Sequence, residues 1–317
     1  VNTDIDVLCI GDLDVDFFIS VPAIPGFDQK VSGSSLGRKP GGMSANAATA
    51  VARLGGRSRL IAAVGDDEAG RDVRAELARD GVDLTFVREL PGTSTFMCVV
   101  MLSPSGEKSL IRLESEAYLP KLADLVAAAF EGVRHLHLTY GSPELTHLAL
   151  LMAMECGMSA SLDLEPPDIR QAPEGLPRIL AMIDTLFLNS EAFEEASKAL
   201  GRPIDPAMLK PGGEIVVTLG AQGCRRLSAS GVSDVPGFRV ATVDTTGAGD
   251  CFAAAYLIRR LEGALPKTAM TFANAAAALA TLDYGAQAAT PRRADVDAFM
   301  SAAGFGQGEA KLSSRSR

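Results

Sequence analysis

The sequence contains no tryptophan, three histidines and five cysteines, and aromatic residues make up 5% of it. Cys9, Cys98, Cys156, Cys224 and Cys251 lie far apart and form no Cys-x-x-Cys pair. This argues against a zinc site or a disulfide framework, and for small buried hydrophobes in a reducing compartment. Positive charge is scarce as well. With 30 Lys and Arg against 39 Asp and Glu, the net charge is −9, so the basic footprint of a nucleic-acid binder is missing. No apolar run approaches membrane-spanning length, and the start Val1-Asn-Thr-Asp-Ile-Asp6 lacks a basic stretch before an apolar one. Neither a membrane partner nor a signal peptide is expected, and the expected location is the cytoplasm. No Gly-x-x-x-x-Gly-Lys-Ser/Thr loop occurs, and no early glycine fingerprint supports a nicotinamide oxidoreductase.

What is present is a regular alternation. Short apolar runs read as buried strands at Val7–Gly11, Ser58–Val64, His135–Leu138, Ser159–Leu162, Thr185–Leu188 and Ile215–Leu219. Helical patterns lie between them at Met43–Leu54, Glu68–Asp80, Leu122–Phe130, Leu145–Glu155 and Glu191–Leu200, and Phe272–Leu282 reads as a buried Ala-rich helix. The alternation predicts an α/β fold with a mostly parallel sheet covered on both faces. Two segments break the scheme. Phe17–Lys39 is rich in Pro, Gly and Ser, and Thr95–Leu113 reads as a hairpin, Phe96–Leu102 and Lys108–Leu113, around a turn at Ser103-Pro-Ser-Gly106. Together they predict a small β-sheet beside the core, with too little core of its own to be anything but a lid or a surface packed on a copy of itself. The polar tail Gly304–Arg317 is expected to be disordered.

The densest chemistry is Asp244-Thr245-Thr246-Gly247-Ala248-Gly249-Asp250, running into an Ala-rich helix. Gly247, Ala248 and Gly249 have little or no side chain, so their N–H groups can approach an anion at a helix N-terminus. Asp250 in the first turn reads either as an acidic cap or as a proton acceptor beside a phosphate site. Gly11-Asp12-Leu13-Asp14-Val15-Asp16 puts three carboxylates just past a strand end, where open α/β sheets bind ligands, with Asp14 and Asp16 on one side if the chain stays extended. His135 and His137 share a strand face with His147 nearby, and read as structural or cleft-lining, since no third ligand is spaced for zinc.

The run Asp244–Asp250 closely resembles the C-terminal signature of the ribokinase-like (PfkB) carbohydrate kinases. Pro40-Gly41-Gly42-Met43-Ser44-Ala45-Asn46, continuing to Gly56, resembles the N-terminal one, and the resemblance spans roughly residues 5 to 300 in the family's order. It implies a three-layer α/β/α kinase domain over residues 1–303, with lid segments near 13–39 and 93–116, that uses ATP and Mg²⁺ on a small sugar-like substrate. Asp250 is then the base and the Gly247–Asp250 backbone the anion hole. Asp14, Asp16, Gly41, Gly42 and Asn46 would bind substrate, and Arg112 on the second lid strand would pair with an acidic substrate or stand as an exposed strand Arg. Asn189, Thr218, Gly220, Gly223, Asn274 and Gly285 would line the nucleotide site, the last in a loop Tyr284–Pro291 that closes it. Asp244 and Thr246 would hold K⁺, and Glu191 would act on Mg²⁺ through water. A homodimer through the lid sheet is expected. The same fold would also suit a nucleoside or hydroxymethyl-pyrimidine kinase, with Phe17, Phe18, Phe27 or Phe96 stacking on a base, or a silent ligand-sensing relative. Three departures stand out. The family's usual Asn-x-x-Glu reads Asn189-Ser-Glu191-Ala192, Met43 stands where ribokinases usually carry Lys, and Leu138–Pro143 lacks their substrate Glu. The last two argue against ribose.

Overall fold

The computed structural model describes residues 5–104 and 108–305. Among the described residues, thirteen strands are formed: β1 (Ile5–Ile10), β2 (Asp14–Ser20), β3 (Ser34–Gly41), β4 (Ser58–Gly65), β5 (Asp83–Leu90), β6 (Met97–Leu102), β7 (Lys108–Leu113), β8 (Val133–Thr139), β9 (Ser159–Leu164), β10 (Thr185–Asn189), β11 (Glu214–Thr218), β12 (Cys224–Ser228) and β13 (Gly231–Val235). Ten helices accompany them: α1 (Met43–Arg53), α2 (Glu68–Arg79), α3 (Ala127–Phe130), α4 (Pro143–Glu155), α5 (Pro166–Gln171), α6 (Leu176–Leu180), α7 (Ser190–Ala199), α8 (Ala248–Leu261), α9 (Pro266–Ala280) and α10 (Arg293–Ala302). No helix among the described residues is long and apolar enough to cross a membrane.

Nine strands form one sheet in the order β13-β12-β11-β10-β9-β8-β1-β4-β5. The seven from β11 to β5 run parallel, and β12 and β13 are added by antiparallel pairings. The strands alternate between two cores. Val7 and Cys9 point into a cluster with α1, α8 and α9, while Leu8 and Ile10 point into a cluster with α4, α6 and α7. That two-sided burial explains the near-continuous apolar runs. Small residues let the helices on the first face approach closely: Ala253, Ala254 and Ala255 of α8 are fully buried between α1 and α9.

The second sheet, β3-β2-β6-β7, is built from the two predicted lid segments. Only β2 and β6 are parallel in it. The predicted turn at Ser103–Gly106 is described as far as Pro104, and of the polar tail only Gly304 and Phe305 are described; the rest of both lies outside the described residues.

Three expectations change. The helix expected over Leu122–Phe130 is a 3₁₀ turn at Leu122–Asp124 followed by α3, because Val126 is extended between them. The Ala-rich helix starts earlier, with Pro266 in its first turn, and ends at Ala280. Strands β5, β12 and β13 carried no sequence signal, since they mix charged and apolar residues at the two ends of the sheet.

The order of strands positions the site. From β1 the chain steps outward to β4 and β5, then returns to β8 and proceeds the other way. The crevice beyond the carboxyl ends of β1 and β8 is therefore a topological switch point, where such sheets bind ligands.

Candidate active site

A cleft of about 1000 Å³ opens at that crevice. The loops after β1, β9, β10 and β11, the start of α8, and one face of the small sheet line it. Carboxylates dominate: Asp12, Asp14, Asp16, Asp163, Glu165, Glu191 and Asp250 face the cleft, against two cations, Lys108 and Arg112.

The loop before α8 is shaped by Gly247. It sits at the helix N-cap with φ 76°, and a Cβ there would lie 2.7 Å from the Ala286 Cβ and 2.8 Å from the Ala286 oxygen. Only glycine meets both the left-handed turn and the close approach. No side chain caps the helix from that position, and the space beside Gly249 is open. Ala248 N donates to the Thr245 carbonyl at 3.2 Å and Ala248 does not line the cleft, so the expected anion-site role of its amide is not met. Gly249 and Asp250 of the first turn do line it, with the positive end of the helix dipole behind them, as an anion site requires.

Asp250 is buried in the first turn of α8 at the cleft floor. Its Oδ2 accepts a 2.8 Å hydrogen bond from Asn46 Nδ2, and Asn46 Oδ1 accepts one of 3.0 Å from Gln287 Nε2. Gln287 also accepts from Thr49 Oγ1, and its carbonyl accepts from Arg53. Burial, and next the neighbouring Asp163 carboxylate, push the Asp250 pKa well above the carboxylate range, while the Asn46 amide pulls it down. A buried carboxyl with a raised pKa is a better proton acceptor than a solvated one. Burial and then Glu165 push Asp163 itself up to about 7.

The carboxylates that follow β1 are equally constrained. Asp12, Asp14 and Asp16 are all buried. Asp12 Oδ1 accepts from the Ser44 amide at 3.0 Å, which ties the start of α1 to the end of β1. Asp14 Oδ1 is buried without a hydrogen-bond partner among the described residues. Burial first, then repulsion from Asp12 and Asp16, hold the Asp14 pKa far above normal, and burial with Asp244 and Asp12 pushes Asp16 to about 6. An unsatisfied buried oxygen costs free energy unless a donor arrives, and a substrate hydroxyl is such a donor. Gly41 makes the arrangement possible: a Cβ there would lie 2.2 Å from Asp14 Oδ1 and 2.8 Å from Asp16 Oδ2.

The expected nucleotide residues divide. Asn189, Glu191, Thr218 and Gly220 line the cleft. Asn189 caps α7 by accepting from Ala192 N at 2.8 Å, and Glu191 is exposed with Arg170 3.8 Å away. Gly223 and Asn274 do not line it. Gly223 turns against the backbone of Val235 and Gly237, and Asn274 donates to the carbonyls of Val235 and Pro236. The loop Tyr284–Pro291 does not line the cleft either. It braces the anion loop from behind, through Gly285 N to Asp244 Oδ2 at 3.0 Å and through Gln287. Asp244 Oδ1 accepts from Thr246 N and Oγ1; burial raises its pKa, but these donors and Gly285 outweigh that and hold it below the usual range.

Of the four expected stacking aromatics only Phe96 reaches the cleft; Phe17 and Phe18 do not line it, and Phe27 is fully exposed. Tyr118 packs on Phe96 at 4.5 Å between ring centroids, and Arg112 lies over both rings. His135 and His137 are structural, bonded through their ring nitrogens to Ser159 and Ser161. Sequence reasoning missed Asp163, Glu165, Lys108 and Tyr118. For Asp163 a signal existed: it sits near the carboxyl end of a buried strand, as Asp12 does.

The pattern of pfkB family carbohydrate kinases matches residues 4–293. A ribose-1-phosphate kinase, ATP-dependent, from Halopiger xanaduensis is 31% identical over 301 residues, covering 93% of this chain and 98% of that protein. Fructokinase-1 of Oryza sativa subsp. japonica is 32% identical, covering 94% and 98%. Among solved structures, an E. coli protein described as a ribokinase II, in complex with ATP and Mg²⁺, superposes with a TM-score of 0.83 at 25% identity over 94% of this chain and 99% of that one. With the Gly247–Asp250 loop, the buried Asp14 and Asp16 pair and the two-sheet fold all in place, the chain belongs to the pfkB family of carbohydrate kinases.

Proposed function

We propose that this kinase transfers the γ-phosphoryl group of ATP to a hydroxyl or hydroxymethyl group of a small sugar-like molecule, with Asp250 as general base. The observation that carries the reading is the buried Asp250 carboxylate at the cleft floor, one residue from the open amides of the α8 turn and hydrogen-bonded to Asn46. The acceptor's hydroxyls donate to Asp14 and Asp16. Asp250 orients the reacting hydroxyl and takes its proton as that oxygen bonds to phosphorus and the bridging oxygen leaves with ADP. The amides of Gly247, Gly249 and Asp250 stabilise charge on the transferring group, as preorganised donors do. Asn189, Thr218 and Gly220 flank the nucleotide end of the cleft.

Mg²⁺ fits this site as a guest of the phosphates. Glu191 and Asp163, both on the cleft wall, are the carboxylates that would hold it, directly or through water. When bound it withdraws charge from the phosphate oxygens. A monovalent cation such as K⁺ beside Asp244 and Thr246 is the finer part of the reading, supported by the oxygens those two side chains bring together, Thr246 Oγ1 and Asp244 Oδ1 at 2.7 Å. Turnover in KCl against tetramethylammonium chloride tests it. The small sheet acts as the lid that excludes water. A homodimer through that sheet is supported by Ile111 and Leu113 of β7, exposed on the face away from the cleft. Light scattering of Ile111→Asp reads it.

The decisive experiment is a panel of sugars, sugar phosphates and nucleosides with Mg²⁺-ATP and ADP detection, run on the native chain and on Asp250→Asn. Asp250→Asn should lose roughly 10²–10⁴-fold in kcat while still binding nucleotide. Near-native kcat in that variant removes Asp250 as base. A second reading, a nucleoside kinase, is favoured by the Phe96–Tyr118 pair in the cleft wall, and the nucleoside arm of the panel decides it.

A further inference from the structure

The cleft must accept a highly charged phosphate chain, yet carboxylates outnumber cations on its walls. Both cations come from a single element, the edge strand β7. In the register of the small sheet, Lys108 opposes Leu102, Leu110 opposes Val100 and Arg112 opposes Cys98, and alternate residues of β7 face the cleft on the side that carries Asp14 and Asp16. Arg112 is stacked on Phe96 and Tyr118. Lys108 instead reaches across the cleft: its Nζ donates to Thr246 Oγ1 at 3.2 Å and lies 4.0 Å from Asp244 Oδ1. Thr246 immediately precedes Gly247, the N-cap of the anion turn. Met43, at the start of α1, also lines the cleft and brings no positive charge to it.

We infer that Lys108 is a catalytic cation of this enzyme, delivered by the small sheet to the Thr246–Gly247 corner, where its ammonium binds the oxygens of the phosphoryl group in transfer. The inference rests on the kinase reading above and deepens it. Backbone amides offer partial charges, whereas an ammonium offers a full one on a flexible stem with three donors. In a cleft this acidic, a full charge is what balances the equatorial oxygens as the acceptor O–P bond forms and the bond to the ADP oxygen breaks. Lys108 neither gives nor takes a proton in the step; the hydroxyl proton goes to Asp250. The placement has electrostatic company on both sides. Lys108 also lowers the pKa values of Asp16, on the acceptor side, and of Asp244, behind the anion turn. The Thr246 contact is the resting position of that ammonium, and a phosphoryl oxygen is a stronger acceptor than a threonine hydroxyl.

A latch that only fastens the small sheet to the anion loop would use the same contact, so the test separates the two roles. Lys108→Met and Lys108→Arg are compared with the native enzyme in turnover and in calorimetric titration with Mg²⁺-ADP and Mg²⁺-AMP-PNP. The inference expects Lys108→Met to lose roughly 10- to 100-fold in kcat, the low end for a transition-state donor because this side chain is half-exposed. It expects the native preference for AMP-PNP over ADP to fall by about tenfold, ADP affinity to stay unchanged, and Lys108→Arg to recover most of both, since both carry the charge. Native kcat in Lys108→Met, or an unchanged AMP-PNP-to-ADP preference, overturns it in favour of the latch. Asp250→Asn run alongside keeps the outcomes apart. An active Asp250→Asn sinks the base assignment, and the titrations read Lys108 independently of it.

Discussion

Asn46 Nδ2 lies 2.8 Å from Asp250 Oδ2, joining the first turn of α1 to the first turn of α8 across 204 positions of sequence. The bond points the Asn46 amide at the carboxylate proposed as base. The resemblance to the family implied a substrate contact for Asn46, and Asn46 lines the cleft. Its bonds to Asp250 and Gln287 also suit a residue that positions the proposed base.

Asn46→Ala should therefore move a pH profile. The Asn46 amide lowers the Asp250 pKa, so removing it raises that pKa further. A base must be ionised to act, and its rate falls as pH drops through its pKa. The acidic limb of kcat/KM should shift to higher pH, with kcat on the plateau also lower. A limb that stays put while only KM rises would assign Asn46 to substrate contact alone.

Asp163→Asn should shift the same limb the other way. After burial, the Asp163 charge is the largest influence raising Asp250. Without it the Asp250 pKa drops, and activity should persist to lower pH than in the native enzyme. Opposite shifts from two substitutions on either side of one carboxyl would identify the titrating group as Asp250.

Gly41→Ala tests the acceptor pair. The new Cβ would overlap Asp14 Oδ1 and crowd Asp16 Oδ2. Overpacking of this kind costs roughly 1–3 kcal/mol, and here the carboxylates that move are the acceptor's partners. KM for the acceptor should rise by about tenfold or more at 1.4 kcal/mol per decade, with the ADP dissociation constant unchanged. Equal loss of both affinities would show that the whole cleft had shifted.

Gly247→Ala should damage stability and turnover together. The left-handed turn costs an L-residue roughly 1–2 kcal/mol, and the new Cβ also meets Ala286. Denaturant unfolding should report at least that loss, and kcat should fall because the anion turn cannot keep its shape.

Tyr256→Phe separates stability from catalysis. The Tyr256 hydroxyl donates to Glu214 at 2.6 Å at the far end of the sheet from the anion turn. Removing it should cost about 1 kcal/mol of stability, read by denaturant midpoint, and leave kcat unchanged.

Local chemistry was legible in the sequence. The anion turn could be read because a helix N-terminus built from Gly247, Ala248 and Gly249 needs no distant partner to display its amides. Asp14 and Asp16 could be read because strand period alone puts them on one face, and β2 is that strand. The unbroken apolar run from Val7 to Ile10 likewise announced a buried strand, and the structure sorts its residues alternately into the two cores. The outer strands β5, β12 and β13 were silent, because greater exposure toward the two ends of the sheet relaxes the demand for apolar residues. Long-range juxtaposition was silent too. That Asp250 meets Asn46 and Asp163 in a buried cleft, and that Lys108 reaches Thr246, 138 positions away, could be seen only in the folded chain. Those pairings follow from the strand order around the switch point and from how the small sheet lies over it. No residue spacing encodes either, because they arise only when the two sheets and α8 are brought to one crevice.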